Sequence, residues 1–233
     1  MEFFWLPQYG PLLLEGLWRT VLLLVLGGIF GFAGAVLVGL GRISRNRLIS
    51  LPLAAFTSVI RGTPLLVQIF IFYYGLGSVF AAIPAIRHTF LWPYLRDGFW
   101  YVLVALVISE AAYVGEVVRA ALLAVPKGEI EAGRAFGMPT ALLLRRLWLP
   151  RALQAILPTL AGEAVLLLKS TALASTVTVI DLLGAANVVR AQTFRTYEPL
   201  LFVAAAYLIL TLIVEKVLHR VERHYGRIWR RDR

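Results

Sequence analysis

From residue 12 to residue 40 the chain is almost uninterruptedly apolar, its only charged residues being Glu15 and Arg19 near its start. A helix of about 20 mostly apolar residues crosses a bilayer, because every backbone polar group in hydrocarbon must find its partner inside the segment. The first run exceeds that length, so it should tilt or extend beyond the hydrocarbon. Four further runs qualify: residues 51–80, interrupted by Arg61-Gly62-Thr63-Pro64, then 99–123, 152–180 and 200–218. The expected fold is therefore all-α, a polytopic membrane bundle of five transmembrane helices.

Composition supports this. The 233 residues are 60% hydrophobic and 15% charged, with a mean hydropathy of +0.79. A soluble domain carries about a quarter charged residues, so a water-soluble surface cannot be assembled here. The formal charge of +10 could suggest nucleic acid. The basic residues instead lie between the apolar runs, which makes membrane lipid the expected partner and nucleic acid an unexpected one. No cysteine is present, which excludes disulfides, thiolate metal sites and cysteine nucleophiles. His88, His219 and His224 are too scattered for a metal cluster. Neither a catalytic residue nor a metal ligand is expected.

Orientation follows from the Lys and Arg residues, which favour cytoplasmic loops. Sixteen of the 23 lie after the first run, between Arg119 and Arg151, or in the C-terminal tail. Five spans accommodate that alternation with the N-terminus outside and the C-terminus in the cytoplasm. A cleavable leader is not expected, because the first run is too long and lacks basic residues before Trp18-Arg19. Gly27, Gly31, Ala35 and Gly39 form a ridge of small residues on the first helix, suited to close helix packing or to a subunit interface.

Residues 125–158 are too polar to cross the bilayer. Pro126, Gly128, Gly137 and Pro139 divide them into short helical pieces, with Gly137 placed as a helix C-cap. A short helix over 129–136 would show Glu131 and Arg134 on its surface and Ala132, Ala135 and Phe136 as a small apolar side. That combination suits either a groove on another protein or a bed of lipid headgroups.

Glu131-Ala132-Gly133, three residues, Gly137, nine residues, then Leu147-Trp148-Leu149-Pro150 resembles the EAA loop of permease subunits in bacterial ABC importers. The family pattern has Ala where Gly133 stands and Ile where Leu147 stands. The glycine would weaken the short helix by up to about 1 kcal/mol relative to Ala. Three further stretches resemble the polar amino-acid branch of that family: 61–68 with Tyr73-Tyr74-Gly75-Leu76, 112–119 with Pro126-Lys127-Gly128, and 167–173. The run 169–185 is similar to permeases for histidine, other basic amino acids and opines. The resemblance covers about residues 16–218. It implies an extracytoplasmic segment at 1–15, a transmembrane domain at 16–219 and a basic cytoplasmic tail at 220–233.

The resemblance also implies function. Such a permease sits in the bacterial inner membrane with a second permease, itself or a paralogue, two ATP-binding subunits and an extracytoplasmic solute-binding protein. Glu131, Ala132, Gly133, Arg134, Ala135, Phe136 and Gly137 would couple it to the ATPases. No Gly-x-x-x-x-Gly-Lys-[Ser/Thr] phosphate loop occurs in the chain, so ATP and magnesium would belong to the partner subunits and no cofactor to this one.

Ionisable groups within spans are costly and usually functional. Glu110 sits near the middle of the third run and Glu163 about a third of the way into the fourth. Ser170 shares nearly the face of Glu163, with Thr171 adjacent, and a carboxylate beside hydroxyls would suit an ammonium or guanidinium substrate. Alternatively Glu163 pairs with Lys169 or Arg61 and holds spans together. Arg61, Thr63 and Gln68 flank the helix break, where irregular backbone is tolerated if it lines a cavity or is buried in protein. Glu116 and Arg119 are spaced for an intrahelical pair. Two other functions compete: a membrane enzyme using Glu110 and Glu163 as an acid/base pair, and an ATP-independent channel or scaffold.

Overall fold

The computed structural model describes residues 5–230, without the side chains of 225–230. Arg231 and Arg233, which enter the orientation argument, lie outside the described residues, as do the side chains of Arg227 and Arg230. Every regular element among the described residues is helical.

Helix α1 (Leu6–Arg42) extends the first predicted span by a turn or more at its start. Pro7 is tolerated there because the first helical N–H groups have no intrahelical acceptor. The expected second span resolves into two helices. Helix α2 (Arg47–Gly62) is capped by Asn46, whose Oδ1 accepts from the Leu48 N–H at 2.9 Å. Pro64 drives Thr63 into extended backbone and ends α2, and only the following helix α3 (Leu65–Ala82) is long and apolar enough to cross. Helix α3 widens into a π turn over Ile71–Leu76. Two single-turn pieces, Pro84–Arg87 and Trp92–Leu95, lead to helix α4 (Gly98–Ala124), capped by Asp97.

Helix α5 (Lys127–Ala135) occupies the polar segment after α4. Helix α6 (Thr140–Thr176) starts twelve residues before the predicted fourth span. Pro150 cannot donate to the carbonyl one turn back, and the turn just before it widens over Leu144–Trp148, so the helix continues through the proline instead of starting after it. Helix α7 (Leu182–Thr193) is too short to span, and α8 (Tyr197–Arg230) forms the fifth crossing.

The ridge on α1 packs within the chain. Gly27, Gly31, Ala35 and Gly39 are all buried. A Cβ on Gly39 would stand 2.6 Å from Val118 Cγ1 of α4, so the backbones meet at a separation only glycine permits. Two apolar clusters lie along this seam, one around Leu23, Val102, Leu106 and Leu167, the other around Val114, Val118, Leu122, Ile130 and Leu143. The second joins α5 to the transmembrane bundle.

Candidate coupling site and translocation path

Val125 and Pro126 turn the chain out of α4 into α5. Ile130 and Gly133, three apart, form the buried side of α5. A Cβ on Gly133 would run into Leu143 Cδ1, so the glycine that looks unfavourable for helix formation provides room for a fully buried leucine of α6. Glu131, Ala132, Arg134, Ala135 and Phe136 form the exposed side. Phe136 is 89% exposed, with charged groups of both signs on the same surface.

The helix ends in a Schellman turn. Gly137 adopts φ +73°, its N–H donates to the Arg134 carbonyl at 2.9 Å, and the Met138 N–H donates to the Gly133 carbonyl at 3.1 Å. This fixes the direction in which Phe136 leaves the helix.

Polar links tie this region to the spans. Arg151 of α6 grips Glu129 of α5 through two hydrogen bonds, 2.9 and 3.2 Å. Trp148 Nε1 donates to the Leu122 carbonyl at 2.7 Å. Glu116 binds Arg119 at 2.6 Å, as its spacing suggests, and also Arg42 of α1 at 2.8 Å and the Thr57 hydroxyl of α2 at 3.0 Å. Arg42, Thr57, Glu129 and Arg151 were not among the sequence candidates. Their partners lie on other helices, and no periodicity along the chain records such a pairing.

The structure brings three of the predicted path residues together. Glu110 of α4 and Glu163 of α6 lie near enough to repel, and Arg61 lies near enough to attract Glu163. Among the described residues neither carboxylate has a hydrogen bond or an ion pair within 4 Å, so no direct ion pair joins Glu163 to Lys169 or Arg61. The Arg61 guanidinium sits 5.5 Å over the Tyr113 ring, whose hydroxyl donates to the Arg61 carbonyl at 3.2 Å.

Other predicted residues are committed to backbone. The buried Gln68 amide donates to the carbonyls of Ile60 and Thr63 and to the Thr63 hydroxyl, at 2.9, 3.2 and 3.0 Å. The Thr63 hydroxyl donates to the Val59 carbonyl at 3.0 Å. The two side chains thus close the α2–α3 break that Pro64 opens. Ser170 and Thr171 donate to carbonyls of their own helix, Leu166 and Leu168. Thr171 is fully buried.

A separate buried node lies at the start of α7. Asp181 accepts from the Gly184 and Leu183 N–H groups at 2.9 and 3.4 Å and from the Tyr207 hydroxyl at 3.3 Å. Burial pushes its carboxyl up to about 6 against the opposing effect of these donors.

The family described as binding-protein-dependent transport system inner membrane component matches residues 14–227. The octopine transport system permease protein OccM of Rhizobium radiobacter is 41% identical over 217 residues, covering 88% of this chain and 87% of its own. The histidine/lysine/arginine/ornithine transport system permease protein HisM of Escherichia coli K12 is 37% identical over 210 residues, covering 90% and 85%. A solved amino acid ABC transporter with histidines superposes with a TM-score of 0.80 at 34% identity, over 96% of this chain and 99% of that one. The MetNI methionine ABC transporter in an inward-facing form shares the fold, with a TM-score of 0.74 at 22% identity over 92% and 96%. This chain is a multi-pass inner-membrane protein and belongs to the family of binding-protein-dependent transport system inner membrane components.

Proposed function

We propose that the chain is the permease subunit of an ATP-driven importer for basic amino acids or opines. The observation that carries this reading is the exposed face of α5, an isolated aromatic beside Glu131 and Arg134 on a helix whose other face is anchored to two spans. Such a knob, apolar with a charged rim, suits a groove on an ATP-binding subunit. The names of OccM and HisM, whose proteins share more than a third of their residues with this one, support the substrate class.

In this reading two ATP-binding subunits engage the 131–137 segments of this chain and of a second permease, which is either another copy or a paralogue. ATP and magnesium are held by those subunits. A solute-binding protein delivers substrate to the opposite face, where the N-terminus lies, and the basic C-terminal tail is cytoplasmic, in keeping with the Lys and Arg distribution. Closure of the ATPases moves α5 and alternates access to the path. Glu110 and Glu163 provide negative charge there for an ammonium or guanidinium group, and Arg61 a positive charge for a carboxylate.

The test is purification of the tagged chain from its native membrane in mild detergent, with mass spectrometry of the proteins that accompany it. Recovery of an ATP-binding subunit, lost when Gly137 is replaced by a bulky residue, is the expected result. Recovery of the chain in good yield with no ATP-binding subunit would refute the reading.

A further inference from the structure

The Glu129–Arg151 pair has a geometric value out of proportion to its energy. Both side chains are about a third exposed, 32% and 28%, and pairs so placed stabilise a fold very little. A bidentate guanidinium–carboxylate contact nevertheless fixes distance and orientation together. Along the chain, α5 is joined to α4 only through Val125 and Pro126, a linkage that by itself would let the helix swing as a flap. Arg151 attaches α5 to α6, Leu143 of α6 fills the space over Gly133, and Trp148 fastens the base of α6 to the end of α4. The three helices thus form a closed triangle, and a force on Phe136 cannot be absorbed by rotation at Pro126.

We infer that Glu129 and Arg151 are positioning residues, a strut that passes displacement of α5 to the third and fourth spans as one rigid body. This rests on the coupling reading above. Without the strut the ATPases would still dock and hydrolyse ATP, but part of their stroke would be lost in bending at Pro126.

The test uses the complete transporter, with its ATP-binding subunits and solute-binding protein, reconstituted in proteoliposomes and fed labelled arginine. Glu129→Gln and Arg151→Gln should retain the ATPase subunits and hydrolysis within about twofold, while uptake per ATP falls about tenfold or more. The reversed pair, Glu129→Arg with Arg151→Glu, should recover at least about a third of the wild-type ratio, a rescue that loss of stability alone would not produce. Because the chain contains no cysteine, Glu129→Cys and Arg151→Cys can be bridged by a short bis-methanethiosulfonate. A rigid strut predicts that the bridged protein still transports.

Unchanged uptake per ATP in the single variants, or a reversed pair no better than they are, would overturn the inference. So would transport abolished by the bridge and restored by reductant, since the two residues would then have to separate during the cycle. Assembly lost in the single variants and regained in the reversed pair would assign the contact to folding and overturn it likewise. If the wild-type chain recruits no ATPase, the coupling reading itself fails and the strut with it.

Discussion

Gly31 of α1 lies directly against Glu110 of α4: a Cβ on Gly31 would stand 2.5 Å from the Cβ of Glu110 and 3.2 Å from its Cγ. The small-residue ridge therefore places a mid-span carboxylate as well as packing two helices. Any side chain at Gly31 must push Glu110 away or part the helices.

Gly31→Val should lower the stability of the detergent-solubilised chain by about 1–3 kcal/mol, the usual cost of overpacking. Gly28→Ala is the control, since a Cβ there meets only Leu167 at an ordinary 3.8 Å. Thermal unfolding of the two variants beside wild type should separate them clearly. Equal melting temperatures would mean that α1 and α4 do not pack as described.

Glu163→Gln should raise the substrate concentration needed for half-maximal uptake of a basic amino acid by about tenfold or more, because a charge-assisted contact contributes about 1.5–3 kcal/mol. Protein level and ATPase recovery should not change. Untouched kinetics would show that the carboxylate does not meet the substrate.

Phe136→Ala should leave the melting temperature of the isolated chain alone, because the ring is almost wholly exposed. It should nevertheless reduce co-purification of the ATP-binding subunit, as truncating an aromatic anchor commonly costs about 2 kcal/mol or more at an interface. Gly137→Val acts differently. It forces a β-branched residue to φ +73°, costs about 1–2 kcal/mol, and should uncouple transport by misdirecting Phe136.

The Asp181 carboxyl titrates near 6 in the fold and near 3.9 in an unfolded chain. Between those values the folded protein binds more protons, so stability should rise as the pH falls from 7 through 6 and level off near 4. Melting temperatures measured across that range should show the rise in wild type. Asp181→Asn keeps an N-cap acceptor for Gly184 and should flatten the profile. An identical slope in the variant would assign the pH dependence to other groups.

The spans were legible because hydrocarbon leaves few alternatives: long apolar runs, Lys and Arg between them, and a small-residue ridge follow directly from solvent physics. The break at Pro64 was visible too, and so was Gly137 as a helix end. The sequence did not reveal what closes the break. Gln68 looks like a polar group facing a cavity, but its amide serves carbonyls that Pro64 leaves free. Nor did Gly133 disclose its purpose, since Leu143, which occupies the space it leaves, is ten residues away. Helix α6 starts twelve residues before the predicted fourth run, because the polar turn ahead of residue 152 carries no span signal and a widened turn lets the helix run through Pro150. Charge clusters such as Arg42–Glu116–Thr57 join three helices and leave no local periodicity.

Uptake of labelled arginine or octopine by proteoliposomes holding the purified complex, with solute-binding protein outside and ATP sealed inside, decides whether the chain is an importer subunit. Accumulation should require both ATP and the binding protein, and should be lost in Gly137→Val. Accumulation that ignores ATP, or that survives Gly137→Val undiminished, would contradict that reading.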